Sequence, residues 1–478
     1  MPKTSIVLLR NDLRLDDNPA LQAAAETGQP VQCVYLYENG LEGIREPGAA
    51  SKWWLDKSLR KLDDALSDRG GRLFLKKCDG VRPAELVREL VDTFDADSVF
   101  WNRRYGPRQR ELDQELKTAL KDDDITAESF NGALLCEPWD VKTTSDGYYK
   151  VFTPFWKALR EAFHLTEIKS APDCDYRSET GDDIDDWAFH PTEPDWSDGI
   201  AEHWTPGTEG AKARLKAFLD DALKGYSDNR DRPDYQGTSG LSPHLSFGEI
   251  SPRQIWAATQ SRMSETSSLE SDGWAFLREV GWRDFSYCLL YQAENLAEKN
   301  WNDRFDAFPW DDNQSALKAW QQGKTGYPMV DAGMRELWET GWMHNRVRMI
   351  VGSFLVKHLR IHWREGEDWF WDTLVDADVA NNPASWQWIA GSGADAAPYF
   401  RIFNPMTQGE KFDPKGDYVR KWCPELKKLS DKKLHQPWTA SKAELSDAGI
   451  TLGKTYPKPI VEHKAAREAA LDAYDKTK

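Results

Sequence analysis

The chain opens with short apolar runs separated by amphipathic stretches. Ile6 to Leu9 is apolar and ends in charge, and Asn18-Pro19 supplies a helix N-cap followed by a first helical residue. Val31 to Tyr37 is β-branched and aromatic and predicts a second strand. Between Ser51 and Asp68, Leu55, Leu59, Leu62 and Leu66 recur at helical spacing, and Gly70-Gly71 ends the run. Arg72 to Leu75 predicts a third strand. Pro83 opens a helix through Leu86, Val87, Leu90 and Phe94, and Ser98 to Trp101 predicts a fourth strand. A helix over Gln109 to Leu120 then precedes a strand over Ile125 to Phe130. Strand and helix alternate throughout, so residues 1–130 are expected to form an α/β domain built on a doubly wound, mostly parallel sheet.

That alternation then stops. From about Asp173 to Gly210 the chain is acidic and Pro-rich, as in Asp182-Asp183-Ile184-Asp185-Asp186, and residues 131–208 are expected to be a long surface linker between domains. Beyond Glu209 the spacing is helical nearly to Leu374 and strand signals are scarce, so residues 209–478 are expected to form an all-α domain. After Leu426 the chain is polar and charged, and no long appended module is expected.

Composition narrows the classes. A chain of 478 residues exceeds the roughly 250–300 that one core serves. No apolar run has membrane length, and the N-terminus meets Arg10 straight after its first apolar run, which predicts neither a signal peptide nor a membrane partner. The six cysteines show no C-x-x-C spacing; no disulfide framework, zinc site or other metal centre is expected, and a reducing cytoplasm fits. A net charge of −17 argues against nucleic-acid binding by the whole surface but permits a local basic groove. Arg335, Arg346, Arg348, Lys357, Arg360 and Arg364 gather in one stretch, and Arg401, Lys411, Lys415, Arg420 and Lys421 in another; each reads equally as a groove or as solvated helix faces. With 23 tryptophans, no single indole is evidence by position alone.

Four stretches carry candidate chemistry. Asp376 to Trp388 packs two acids, three amides and two indoles around Pro383, either as a turn with polar caps over a core or as a polar wall touching an aromatic cofactor. Gly237-Thr238-Ser239-Gly240, followed by Ser242-Pro243, offers N–H groups and hydroxyls suited to phosphate, or else a plain loop with helix caps at Ser242 and Ser251. Glu279 and Arg283 stand four apart on one helical face, and a salt bridge between them leaves Trp282 unexplained. Asn345, Arg348 and Met349 put an amide, a guanidinium and a thioether within one turn, a polar face where an apolar one is expected. The first strand is followed by neither G-x-G-x-x-G nor a P-loop lysine.

Together these motifs resemble the photolyase/cryptochrome flavoprotein family, and most of all its bacterial cyclobutane pyrimidine dimer branch. The residues that carry the likeness are Tyr226 with Gly237 to Pro243, Trp282-Arg283, Trp342 to Arg346, Asp376 with Asn382 and Trp386-Gln387-Trp388, and Ala397-Pro398-Tyr399-Phe400-Arg401-Ile402-Phe403-Asn404-Pro405, in that order. The resemblance runs from Ile6 to about Leu426. It implies an FAD-binding helical domain in which Tyr226, Thr238, Ser239 and Ser242 contact phosphate and ribose and Arg283 and Asn345 contact FAD further. It also implies that Arg348 and Asp376 form an ion pair beside the isoalloxazine, that Asp378 contacts the flavin ring, and that Asn382 faces flavin N5. Trp386, Trp363 and Trp310 match the family's electron-hopping chain.

The family divides into repair enzymes and blue-light photoreceptors. Asn382 stands where plant photoreceptors usually carry Asp. Glu279, Trp282, Met349 and Trp388 match the lesion-binding set of dimer photolyases, with Asn345 and Arg401 beside them, and Asn345-Arg346 is not the His pair of the (6-4) branch. The implied function is light-driven repair of cyclobutane pyrimidine dimers in DNA by electron transfer from reduced FAD, with a cryptochrome-type photoreceptor as the alternative. The implied partner is damaged DNA, with no obligate protein partner and a monomeric state. Trp101-Asn102-Arg103-Arg104-Tyr105-Gly106-Pro107 follows a strand where the family can hold an antenna chromophore. There 5,10-methenyltetrahydrofolate is favoured over 8-hydroxy-5-deazaflavin.

Overall fold

The computed structural model describes residues 3–396 and 400–477. Ala397, Pro398 and Tyr399 of the last motif lie outside the described residues. The chain divides into two compact units: residues up to Asp221 with Ser239–Glu294 and Val375–Asp378, and Ala222–Thr238 with Asn295–Leu374 and residues from Val379 onward.

The first unit is built on a five-stranded parallel sheet in the order β3-β2-β1-β4-β5. Its strands are β1 (Thr4–Leu9), β2 (Val31–Tyr37), β3 (Leu73–Lys77), β4 (Ala96–Asn102) and β5 (Thr126–Phe130), joined by helices α1 (Pro19–Glu26), α2 (Ala49–Ser67), α3 (Pro83–Phe94) and α4 (Pro107–Asp122). Every residue of β1 and β2 is buried, which fits strands covered on both faces. On one face Ile6, Leu8, Val34 and Leu36 meet Leu86, Val87 and Leu90 of α3 and Leu112, Leu116 and Leu120 of α4, joining the two-residue period of the strands to the helical period. Asn18 caps α1 by accepting from Leu21 N at 3.2 Å, with Pro19 next, as the sequence predicts.

Residues 131–208 do not form the solvated linker expected. Phe152–Ala162 is a helix whose Phe152, Phe155 and Leu159 are buried, and Trp187, Phe189, Ile200 and Trp204 are buried too. Tyr176 bridges to Val31, and Arg177 O accepts from Arg72 N at 2.9 Å, so the acidic stretch runs along the sheet and belongs to the first unit. Its aromatic residues fill the core without any repeat spacing, so periodicity could not reveal them.

Among the described residues, all five strands precede residue 131, and the second unit is helical apart from isolated bridges. Asn345–Ser353 continues as a π-helical turn, Phe354–His358, with Phe354 and Leu355 buried and Leu359 buried just after it. Trp363–Thr373 packs on Asn381–Ala390. Pro383 sets no turn there. It occupies the first turn of Asn381–Ala390, where the missing N–H has no helical partner to lose. Among the described residues, no helix is long and apolar enough to cross a membrane.

Candidate functional site

In the first unit, the helix Glu270–Gln292 presents Glu279, Trp282 and Arg283. Trp282 is half-buried and lies parallel on Phe152, with ring centroids 3.7 Å apart and planes 8° apart, while Phe285 meets it edge-on at 5.7 Å. One indole face is therefore covered and the ring is held against tilting. Arg283 donates from Nη1 to Ala133 O at 2.6 Å and lies 4.8 Å over the Tyr287 ring. Tyr287, one turn further on, donates to Asp378 Oδ2 at 2.6 Å. Burial, with that carboxylate adjacent, pushes the Tyr287 phenol well above its ordinary range. Ser246 Oγ donates to Ala377 O at 2.8 Å, so the short segment Val375–Asp378 is fixed on two sides, with Asp376 and Asp378 buried. Asp284 is buried as well, and burial raises its carboxyl to about 7 although Leu135 N and Cys136 N donate to it.

The Gly/Ser turn is only in part a plain capping loop. Ser251 closes a capping box with Gln254, but Ser242 is the exposed first residue of Ser242–Ser246 and does not cap it. Ser239 Oγ accepts from Leu241 N at 3.4 Å. Fully buried Glu249 holds the short helix from below. It accepts from Trp54 Nε1 at 2.9 Å and Gly207 N at 2.7 Å, and its other oxygen pairs with His244 Nδ1.

In the second unit, Tyr226 is buried and Thr238 half-buried. Arg346 donates to Asp231 at 2.6 Å, which ties the Tyr226 segment to the helix Asn345–Ser353. His344 caps that helix by accepting from Arg346 N at 3.1 Å, and burial lowers its imidazole to about 4, keeping it neutral and able to accept. Asn345 is exposed, whereas Arg348 and Met349 are half-buried, and Arg348 Nε donates to Met343 O at 2.7 Å. Asn382 is 8% exposed. Its amide nitrogen donates to two oxygens of Glu367, backbone O at 3.0 Å and Oε1 at 2.7 Å.

The helix Asn381–Ala390 also carries two of the candidate indoles. Trp386 is buried, edge-on to Phe370 at 5.0 Å and to Trp320 at 6.2 Å. Trp388 is half-buried and donates to Asp395 O at 3.2 Å. Trp363 is fully buried and donates to Asn300 at 2.9 Å, while Trp310 is half-buried against His362 at 4.8 Å. Arg401 is exposed.

The first basic stretch is not one free basic face. Lys357 is buried in the π-helical turn, donates to Ala390 O at 2.7 Å and sits 3.2 Å over the Phe400 ring, and burial pushes its amine well below its ordinary range. Arg335 pairs with Glu425 at 2.8 Å and Arg360 with Asp311 at 3.4 Å. Charge counted along the sequence overstated the positive surface because helical turning sends these side chains inward or onto acids.

Comparison with known proteins places this arrangement. The family profile described as DNA photolyase matches residues 5–173, and that described as the FAD binding domain of DNA photolyase matches residues 276–476. A deoxyribodipyrimidine photo-lyase of Agrobacterium fabrum is 52% identical over 98% of this chain and 97% of its own length. The chain belongs to the photolyase/cryptochrome family. Cryptochrome-1 of Arabidopsis thaliana is 38% identical over 98% of this chain and 70% of that protein. The crystal structure of a bacterial class III photolyase from Agrobacterium tumefaciens superposes with a TM-score of 0.94 at 50% identity, covering 100% of this chain and 98% of that one.

Within this family member, the residues expected to hold FAD divide between the units. Ser239, Ser242, Arg283, Asp376 and Asp378 lie in the first, and Tyr226, Thr238, Asn345, Arg348 and Asn382 in the second. The sequence reading missed Glu367, Tyr287 and Phe152, which hold Asn382, Asp378 and Trp282 in place. A signal for Glu367 exists. Trp363, Glu367 and Phe370 are spaced four and three apart, which puts an acid on an apolar helical face. Most side chains of the Trp101–Pro107 stretch already have protein partners. Trp101 is buried in the core, Asn102 donates to Asp12 and Asn18, Arg103 and Tyr105 bind Glu137, and Arg104 binds Glu38 and Asp113.

Proposed function

We propose that the chain is a deoxyribodipyrimidine photo-lyase that uses light to split cyclobutane pyrimidine dimers in DNA. The observation that carries this reading is Trp282, an indole plate backed at 3.7 Å by Phe152 and fit to stack a pyrimidine on its other face. Full-length likeness to a deoxyribodipyrimidine photo-lyase supports it.

The residues present fit FAD. Asn382 has both amide hydrogens occupied and a neutral oxygen remaining, and Asp378 is oriented through Tyr287 Oη. Bound reduced FAD supplies the light-excited electron donor, a chemistry no side chain offers. Tyr226, Thr238, Ser239 and Ser242 would hold its phosphates and ribose; Arg283, Asn345, Arg348, Asp376, Asp378 and Asn382 would hold the rest. Family members extrude the damaged bases from the duplex. Trp282 and Trp388 would stack them, Glu279 hydrogen-bond one pyrimidine, and Met349, Asn345 and Arg401 line the lesion. Trp386, Trp363 and Trp310 would carry an electron inward from the surface, consistent with burial that falls from Trp363 to half-exposed Trp310. A second chromophore, 5,10-methenyltetrahydrofolate before 8-hydroxy-5-deazaflavin, remains part of the proposal, as do a monomeric state and a cytoplasmic location. Mass spectrometry of the chromophores released on denaturation tests the antenna.

The photoreceptor reading is supported by likeness to cryptochromes, such as the Arabidopsis protein of which this chain covers 70%. Reduced protein with dimer-containing single-stranded DNA under blue light separates the two. Restored pyrimidines, absent in the dark, are expected; a flavin that cycles in light while dimers persist would establish the photoreceptor.

A further inference from the structure

We infer that Asn300 is a positioning residue for electron transfer through Trp363: its neutral carboxamide supports the oxidised indole and keeps a carboxylate from taking the indole proton. This rests on the reading that Trp386, Trp363 and Trp310 carry an electron inward. Fully buried Trp363 donates from Nε1 to Asn300 Oδ1 at 2.9 Å, and Asn300 Nδ2 donates to Asp306 Oδ1 at 2.7 Å. An indole nitrogen only donates and a carboxylate only accepts, so the two ends of the amide cannot be exchanged. The backbone around it is fixed as well. Gln387, fully buried and next to Trp386, donates to Leu296 O at 2.7 Å and Lys299 O at 2.9 Å and accepts from Trp301 N at 2.7 Å. One side chain therefore pins the chain on both sides of Asn300, at Lys299 and at Trp301.

The consequence concerns a proton. Losing an electron makes an indole a cation and turns its N–H into an acid. Hydrogen bonds to charged groups are roughly twice as strong as neutral ones, so the bond to Asn300 favours oxidised Trp363 over the same ring without an acceptor. An amide oxygen is too weak a base to remove the proton, whereas a carboxylate in its place would accept it and strand a neutral radical. Asn300 sets one amide between the indole and the Asp306 carboxylate. The step then balances without a proton: Trp363 passes an electron to oxidised Trp386 and regains one from Trp310, with its N–H intact. The acceptor at one end of the path is light-excited oxidised FAD, and the final donor at the other is a thiol in solution.

Flash photolysis of the holoprotein with oxidised FAD and a thiol reads the yield of separated charge and the form of the indole radical, since the cation and the deprotonated radical absorb at different wavelengths. Nitrogen-15 spectra of the indole N–H groups read the hydrogen bond without light, with the Trp363 signal assigned by its loss in Trp363→Phe. Trp363→Phe is expected to abolish the yield. Asn300→Leu is expected to displace the Trp363 signal and to lower the yield about tenfold. In a Trp310→Phe background, which holds the radical on Trp363, Asn300 is expected to give the cation and Asn300→Asp the deprotonated form. An unchanged yield in Asn300→Leu, or a cation in Asn300→Asp, overturns the inference, and a blocked Trp363→Phe leaves the electron path standing. Full yield in Trp363→Phe overturns that path and the inference with it. An unmoved Trp363 signal in Asn300→Leu shows that the contact is not made, which also overturns the inference. If Asn300→Leu does not fold, isosteric Asn300→Asp decides alone by the form of the radical.

Discussion

Gly366→Ala puts the seat of Trp386 to a quantitative test. A Cβ on Gly366 would lie 2.5 Å from Cζ3 and 2.6 Å from Cζ2 of the Trp386 indole, and closer still to Cη2. Carbon atoms rest about 3.5–4.0 Å apart, so the ring or the helix must give by roughly 1 Å or more. The ring has nowhere to retreat. Phe370 and Trp320 meet it edge-on, and a Cβ at Gly352 would already lie 3.5 Å from its Cζ3. Replacing a mid-helix glycine by alanine gains about 1 kcal/mol of helix propensity, while overpacking a tight core costs about 1–3 kcal/mol. With three ring atoms inside contact distance the upper part of that range applies, for a net loss of roughly 1–2 kcal/mol. Chemical denaturation of the holoprotein measures it, and light-driven reduction of oxidised FAD should slow as the indole is displaced. A variant about 1 kcal/mol more stable than the parent, the helix gain alone, would show that the ring does not sit on Gly366.

Trp386→Phe should block light-driven reduction of oxidised FAD while repair by already reduced protein persists; undiminished photoreduction removes this residue from the electron path. Trp388→Ala should weaken binding of dimer-containing DNA by about 1–3 kcal/mol and hardly affect undamaged DNA; equal weakening of both moves Trp388 out of the lesion pocket. Burial raises the Glu336 carboxyl from 4.5 to about 7, against the hydrogen bond from Tyr418. The folded state therefore holds this proton more tightly than the unfolded one, and the stability it contributes is full below pH 4.5 and lost as pH rises through about 7. Glu336→Gln should flatten that decline, which is on the order of 3 kcal/mol; melting curves from pH 5 to 8 with unchanged slopes would refute the assignment.

The sheet was legible because its strands and helices repeat with periods a reader can count, as Ile6 and Leu8 do against Leu86 and Leu90. The connection after it was not, since Trp187, Phe189 and Trp204 are buried at spacings with no period, amid acids that suggested solvent. Order and identity of motifs pointed to Asn382, Trp386 and Arg283. They could not show which groups fix these residues, because Glu367 is 15 positions from Asn382 and Ala133 is 150 from Arg283. Lys357 shows the opposite failure: a charge in sequence became a buried amine because the π-helical turn directs it inward.

The first unit draws on three separate parts of the chain, the last of them only the four residues Val375–Asp378. During synthesis the ribosome delivers Asp221 and then, roughly 160 residues later, the segment bearing Asp376 and Asp378. At about 5–20 residues per second that interval is roughly 8–30 s. Until it ends, Ser246 and Tyr287 await the partners Ala377 and Asp378. The nascent protein therefore passes through a period in which its sheet can be complete while Asp376 and Asp378 do not yet exist, and no stop codon before residue 379 can yield a finished first unit.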